Sequence, residues 1–145
     1  MKEFKLDKLD HQIIEILEED CSLAYSDIAN KIDANMWTVR DRIELLKKRG
    51  IIEKCKAVVN YSKMGYGCEA LLFLNVNPSR VNEFISFLRG EKRVKAVTIM
   101  TGQERIMVTL IDDNCLQVRE FIQEELMRFD IELKEFNVIL EKPIK

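Results

Sequence analysis

Apolar residues recur at helical spacing through the first fifty residues, and this spacing predicts three helices. The first covers residues 6–17 and is expected to begin at Asp7 or Asp10, whose carboxylates can accept hydrogen bonds from the first turn. Residues 22–25 form a break. The second helix is the short segment 26–32, SDIANKI, with Ser26 as its expected cap.

The third predicted helix extends from about residue 36 to residue 49. Asn35 can cap its start, and Gly50 can end it in the left-handed conformation that glycine adopts readily. Its inner stripe consists of Val39, Ile43 and Leu46, which leaves a second face made of Trp37, Arg40, Asp41, Glu44 and Lys47. Two helices joined by the short turn at residues 33–34 are typical of a helix-turn-helix, although a plain three-helix bundle has the same periodicity.

After residue 50 the pattern changes to alternating or continuous β-branched runs. Strands are predicted at 68–76, 94–101, 105–111 and 131–140, with helices at 79–90 and 115–129. The order βαββαβ is that of a ferredoxin-like domain, in which two helices cover one face of a four-stranded antiparallel sheet. The other face also carries apolar residues, so we expect it to pair with a second copy of the chain.

The predicted fold class is therefore α+β, with two domains. Residues 1–52 form a three-helix, winged-type helix-turn-helix domain, and residues 67–145 form the ferredoxin-like domain. Residues 53–66 form a hinge strand or linker. The segment YSKMGYG (61–67), with its two glycines, marks the boundary with the second domain.

The net charge of −2 argues against a protein that coats nucleic acid through overall positive charge, but the charge is unevenly distributed. Residues 35–56 contain seven basic and three acidic side chains, a local excess of +4. Charge runs are commonly solvated helix faces. The excess therefore favours nucleic-acid binding only together with the helix-turn-helix pattern.

The chain has four widely spaced cysteines, no C-x-x-C pair and a single histidine, His11, so neither a metal site nor a cofactor is predicted. Free thiols packed as small apolar groups are the preferred interpretation, while a thermophilic cytoplasm would allow disulfides. The charged N-terminus and the lack of an eighteen-residue apolar run indicate neither export nor a membrane span. A cytoplasmic protein is expected. The cysteines are Cys21, Cys55, Cys68 and Cys115.

Four segments resemble, in order and spacing, the start of the Lrp/AsnC family of bacterial and archaeal transcription regulators. They are LDKLDHQIIEILEED (6–20), AYSDIANKI (24–32), VRDRIELLKKRGII (39–52) and VVNYSKMGY (58–66). The second half is similar to that family's RAM domain, which binds effectors and mediates oligomerisation. The resemblance implies a homodimer, often built into tetramers or octamers. Such a dimer binds double-stranded DNA through its third helix and responds to a small-molecule effector, such as an amino acid, held between RAM domains.

A recognition helix places its first turns against base edges, while basic residues near its end meet phosphates. Arg42 could instead pair with an acidic residue of another helix, and Trp37 could fold back on the core. A dimer would read a roughly palindromic operator with half-sites about one helical turn apart. The expected base-side residues are Asn35, Trp37, Thr38, Arg40 and Asp41, and the expected phosphate-side residues are Arg42, Lys47, Lys48 and Lys54.

The chain departs from the family pattern in two loops. In the helix-turn-helix turn, Asp33 occupies the usual glycine position and Ala34 replaces a larger apolar residue; aspartate tolerates the left-handed conformation. In the loop TGQER, the family has a glycine followed three residues later by an aspartate, and Arg105 occupies the aspartate position. An arginine would repel an amino acid's ammonium group, so we expect an anionic effector or none, unless Arg105 pairs with Glu104 or with a neighbouring subunit. The expected effector site is Thr101, Gly102, Gln103 and Arg105.

Two other functions fit parts of the pattern. Small Lrp-like proteins also act as sirohaem decarboxylases, but such an enzyme needs histidine and other polar groups, and this chain offers only His11. A RAM-type assembly protein without DNA binding is the second alternative, and the +4 segment argues against it.

Overall fold

The structure is a computed structural model that describes residues 5–103 and 105–144. The chain forms two compact units, and the division between them lies between Ala57 and Val58. No helix of the described residues is long and apolar enough to cross a membrane.

The first unit contains three helices: α1 (Lys8–Glu19), α2 (Tyr25–Ile32) and α3 (Met36–Lys48). Their apolar sides meet in one core, as the periodicity predicts. Ile13 of α1, Ile28 of α2 and Val39 of α3 are completely buried there, and the remaining buried members are Ala29, Ile43 and Leu46.

Helices α1 and α2 begin in different ways. Asp7 accepts a hydrogen bond from the Asp10 N–H at 2.9 Å, and Asp10 accepts one from the Asp7 N–H at 3.1 Å, which is a reciprocal capping box. The predicted cap at Ser26 is wrong. The half-buried Tyr25 joins the core in the first turn, so α2 begins there, and the Ala24 N–H donates to Asp27 at 3.3 Å.

Two left-handed residues end α2 and α3, as predicted. Asp33 ends α2 with φ 51°, so aspartate serves in place of the family's glycine. Gly50 has φ 74°, and its N–H donates to the Lys47 carbonyl while the Ile51 N–H donates to the Leu46 carbonyl. This pair of bonds is a Schellman motif. Residues 53–60 then continue outside any helix or strand.

The second unit has the predicted ferredoxin-like order. Its sheet contains β1 (Cys68–Asn75), β2 (Val94–Ile99), β3 (Ile106–Asp112) and β4 (Glu132–Val138), in the spatial order β2-β3-β1-β4 with every pair antiparallel. Two helices complete the domain, α4 (Val81–Gly90) and α5 (Cys115–Phe121). The α5 helix is shorter than predicted, because its chain continues as a π turn at Ile122–Leu126 and a 3₁₀ turn at Met127–Phe129.

Burial alternates strictly along β1, which separates the two faces of the sheet. Ala70, Leu72 and Leu74 are completely buried in the core beneath the helices. Leu71 and Phe73 lie on the other face, and both are partly exposed.

All four cysteines are in disulfides, so the preferred interpretation of free thiols was wrong. Cys21 is bonded to Cys55, with their Cα atoms 5.8 Å apart, and Cys68 is bonded to Cys115, with Cα atoms 5.1 Å apart. Both separations lie in the range that a disulfide requires. The sequence gives no sign of these pairs, because their partners are 34 and 47 residues apart and meet only through the fold.

Candidate nucleic-acid interface

Helix α3 presents two different faces. Val39, Ile43 and Leu46 are buried against α1 and α2, while the side chains on the opposite side remain exposed. A helix of thirteen residues is about 20 Å long. Its exposed face is therefore long enough to lie along a groove of duplex DNA.

A cluster of four side chains occupies the exposed face near the start of α3. Trp37 is 58% exposed, so this side chain does not fold back on the core. The guanidinium carbon of Arg40 lies 5.4 Å from the centre of that ring. Arg40 Nε also lies 3.5 Å from Glu44 Oε1 and 3.8 Å from Asp41 Oδ1. The structure thus brings Trp37, Arg40 and Asp41 together.

Glu44 belongs to this cluster, although the predicted site omitted it. The signal in the sequence was its position four residues after Arg40, since side chains at that spacing are neighbours on a helix. Arg40 Nε is shielded from solvent and makes no hydrogen bond there. Its contacts with the two carboxylates are therefore loose ion pairs that another partner can replace.

Asn35 and Thr38, the other two residues predicted to lie on the base side, are at the start of the helix and are exposed. The Asn35 Oδ1 atom accepts the Trp37 N–H at 2.8 Å and so caps α3. Because the side-chain oxygen caps the helix, the side-chain NH₂ group of Asn35 is the hydrogen-bond donor that remains for a contact with DNA.

Arg42 faces the interior of its own domain. Its NH1 atom donates to Asp7 Oδ2 at 2.5 Å and to Asp10 Oδ1 at 3.1 Å, and Asp10 is nearly completely buried. The hydrogen bond from Arg42 lowers the pKa of Asp7 from 3.8 to about 2, and the two carboxylates raise the pKa of Arg42. Arg42 therefore joins α3 to the start of α1, which is the structural alternative to a phosphate contact.

The basic residues at and beyond the end of α3 lie on the surface. Lys47, Lys48 and Lys54 are all exposed. Lys47 and Lys48 belong to the last turn of α3, where a positive charge interacts favourably with the helix dipole, so their position also has a local structural reason.

The predicted effector loop joins β2 to β3, and Thr101, Gly102, Gln103 and Arg105 are exposed there. Asn75 of β1 fastens this loop, because its side chain donates to the Gln103 carbonyl at 2.6 Å and accepts the Arg105 N–H at 2.9 Å. Sequence reasoning missed Asn75. The alternative pairing of Arg105 with Glu104 involves a residue outside those that the structure describes.

The part of the chain that the structure describes contains no group of three or more His, Cys, Asp or Glu side chains that could hold a metal ion. His11 lies exposed on α1.

Comparison with known proteins agrees with this architecture. Residues 6–47 match the AsnC-type helix-turn-helix domain. An HTH-type transcriptional regulator of Pyrococcus horikoshii is 30% identical over 129 residues, which cover 89% of this chain and 82% of that protein.

Two solved structures share the whole fold. B. subtilis LrpC aligns with a TM-score of 0.82 and 22% identity over 96% of this chain and 97% of its own. E. coli AsnC aligns with a TM-score of 0.78 and 21% identity over 98% of this chain and 97% of its own. The chain therefore belongs to the Lrp/AsnC family and is a DNA-binding transcriptional regulator.

Proposed function

We propose that this regulator reads operator DNA through the exposed face of α3. The observation that carries the proposal is the contrast between the two faces of that helix, one buried in the domain core and the other presenting the Trp37–Arg40 cluster to solvent. The base-side residues are Asn35, Trp37, Thr38, Arg40 and Asp41, and the phosphate-side residues are Lys47, Lys48 and Lys54. Arg42 holds α3 to the start of α1 through its ion pairs with Asp7 and Asp10.

Arg40 is the residue best suited to recognise a base. A guanidinium group can donate two parallel hydrogen bonds to O6 and N7 of guanine, which is worth about 1–3 kcal/mol of discrimination. On binding, Arg40 would exchange its loose contacts with Glu44 and Asp41 for those bonds, while Trp37 would contact sugars or thymine methyl groups.

The regulator acts as a homodimer formed through the outer face of its sheet. Leu71, Phe73 and Met107 place apolar surface on that face, away from the helices. Apolar surface of this kind favours association with a complementary copy. A symmetric dimer presents two α3 helices to two half-sites, so the operator is roughly palindromic with half-sites about 10 bp apart.

Light scattering on the full chain tests the dimer and also counts the subunits in any tetramer or octamer. Phe73→Glu should reduce the particle to a smaller assembly, because a buried carboxylate without a partner is costly. Lys92→Glu, in the turn after α4, is the matched control and should leave the mass unchanged. An unchanged mass in Phe73→Glu would place the interface elsewhere.

The effector, where one binds, is anionic and contacts Thr101, Gly102, Gln103 and Arg105. Support comes from the exposed position of the Arg105 side chain in a loop that Asn75 holds in shape. Calorimetry against the twenty amino acids should give no micromolar binding of a neutral amino acid, and such binding would contradict the proposal.

The DNA proposal is tested by selecting bound sequences from a random duplex pool. Enrichment of an approximate inverted repeat would support it. A gel-shift titration of the selected duplex at two salt concentrations should then show affinity falling steeply with salt, because phosphate contacts release counterions. No enrichment, together with no binding at low salt, would leave an assembly protein as the better interpretation. A regulator of this kind acts in the cytoplasm, where its operator DNA is. It catalyses no reaction.

A further inference from the structure

We propose that the Cys21–Cys55 disulfide is a thiol–disulfide exchange site that sets how much of the linker is free of the helix-turn-helix domain. The bridge joins the chain just after α1 to the chain just after α3. Its effect on DNA recognition rests on the proposed function, whereas its chemistry does not.

The two disulfides differ in exposure. Cys21 and Cys115 are both partly exposed, so the difference lies in their partners: Cys55 is exposed, whereas Cys68 is only 2% exposed and belongs to the core of the second unit. Exchange requires a thiolate to reach one of the two sulfurs, so exposure decides which bridge reacts.

A cleft gives a reductant access to the exposed bridge. Cys21 and Cys55 both line a cavity of about 780 Å³ in the first unit, with walls from Leu17, Leu23 and Tyr25. A cavity of this volume can admit a small dithiol or the thiol-bearing segment of a redox protein.

The bridge is also what fastens the linker beyond Ile52. The N–H groups of Ile51 and Ile52 both donate to the Leu46 carbonyl, which holds these residues to the end of α3. From residue 53 to residue 60, within the part of the chain that the structure describes, the backbone N–H groups have no backbone partner. Breaking the Cys21–Cys55 bond therefore releases residues 53–55 into the linker.

The exchange reaction consumes one dithiol. A thiolate of the reductant attacks Cys55 Sγ, the Cys55–Cys21 bond breaks, and Cys21 leaves as a thiolate that takes up a proton. The second sulfur of the reductant then attacks the mixed disulfide and releases Cys55 as a thiol. The protein gains two electrons and two protons, and the dithiol leaves as a disulfide.

Release of three residues changes the reach of the domain. An extended chain spans at most about 3.5 Å per residue, so each subunit gains roughly 10 Å of linker. In a dimer the oxidised protein should accept one spacing of half-sites, and the reduced protein should accept several.

Thiol trapping tests the exchange directly. The folded full chain is equilibrated with increasing dithiothreitol, alkylated with a maleimide and mapped by peptide mass spectrometry. Cys21 and Cys55 should be labelled at a reductant concentration at least about tenfold below that needed for Cys68 and Cys115, because exposed disulfides have higher reduction potentials and are reduced more readily. Simultaneous labelling of all four, or labelling of Cys21 and Cys55 only after unfolding, would overturn the proposal.

The consequence is tested on the selected operator and on the same operator with three base pairs inserted between its half-sites. The insertion moves the half-sites apart by about 10 Å and rotates them by roughly 100°. The oxidised protein should lose at least about tenfold in affinity, and the reduced protein less than about threefold, since its linkers can follow the displacement.

Two variants complete the design. The paired substitution Cys21→Ser and Cys55→Ser should behave like the reduced protein under both conditions, and Lys56→Ser should keep the redox response. If the paired variant fails to fold, the reduced natural protein gives the same comparison. Equal spacing tolerance in both redox states would overturn the linker role. A failure to select any operator would instead contradict the proposed function and leave the trapping result standing.

Discussion

Replacing Arg42 with alanine should destabilise the first unit without changing its affinity for DNA per folded molecule. Arg42 NH1 contacts the half-exposed Asp7 and the nearly buried Asp10. Removing one partner of a fully buried ion pair costs about 3–5 kcal/mol, and an exposed pair contributes about 0–1 kcal/mol. The Arg42 side chain is itself 33% exposed, so its contact with Asp10 lies between these two limits. Because the Asp7 N–H also still donates to Asp10, we expect a loss of about 1–2 kcal/mol in the free energy of unfolding.

Urea unfolding followed by the fluorescence of Trp37 measures this change. Trp37 is the only tryptophan and lies in the first unit, so its signal reports on that unit. Lys48→Ala is the matched control on the same helix, and it should change the stability by less than about 0.5 kcal/mol because its side chain is exposed.

The pH dependence gives an independent check. The pKa of Asp7 is lowered from 3.8 to about 2 by its hydrogen bond from Arg42, so the stabilisation is fully present above the unfolded value and is lost as the pH falls through the folded value. The difference between the natural protein and Arg42→Ala should therefore narrow as the pH falls from 3.8 towards 2. An Arg42→Ala protein of natural stability whose salt slope in DNA binding falls by about 0.9 would refute the reasoning and make Arg42 a phosphate contact.

Four single substitutions test individual residues of the helix and of the loop between β2 and β3. Arg40→Ala should relax base preference at one operator position by about 1–3 kcal/mol in competition gel shifts, whereas Lys47→Ala should weaken binding to all sequences and flatten the salt slope by about 0.9. Gly50→Ala should lower the unfolding free energy by about 1–2 kcal/mol, because φ is 74° and alanine is strained in that conformation. No atom lies within 4 Å of the added Cβ, so a steric clash would not contribute to this loss. Asn75→Ala removes both hydrogen bonds to the loop between β2 and β3 and should speed hydrogen exchange of the Arg105 amide at a cost of about 1–2 kcal/mol. An Arg105 amide that exchanges at the natural rate would show that the loop keeps its shape without Asn75.

The features that were predictable from the sequence depend on neighbours along the chain. The stripe of Val39, Ile43 and Leu46 follows from helical periodicity, and the end of α3 follows from the glycine at position 50. The family resemblance added the role of the helix, which periodicity cannot supply, because a plain bundle has the same pattern.

Two pairings whose partners the sequence left unnamed depend on contacts between distant parts of the chain. Asp7 and Arg42 are 35 residues apart, and Cys21 and Cys55 are 34 residues apart. In both cases the residue types suit more than one partner, and only the packing of α1 against α3 brings the actual pair together. The start of α2 was missed for a related reason, since burial of Tyr25 outweighed the capping preference of Ser26.

The arrangement around Arg40 explains how an exposed side chain can favour one base over the others. In the free protein Arg40 Nε is shielded from solvent, but the side chains that form its loose pairs with Glu44 and Asp41 are 42–72% exposed, so these pairs contribute about 0–1 kcal/mol. A bidentate contact with guanine returns about 1–3 kcal/mol, so the exchange is favourable at that base. At a base that cannot accept both hydrogen bonds, the free energy gained from the base contact is too small to offset the lost ion pairs. Arg40 then stays paired with Glu44 and Asp41. Specificity then arises from this difference, while the exposed lysines at and beyond the end of α3 supply affinity that is equal for every sequence.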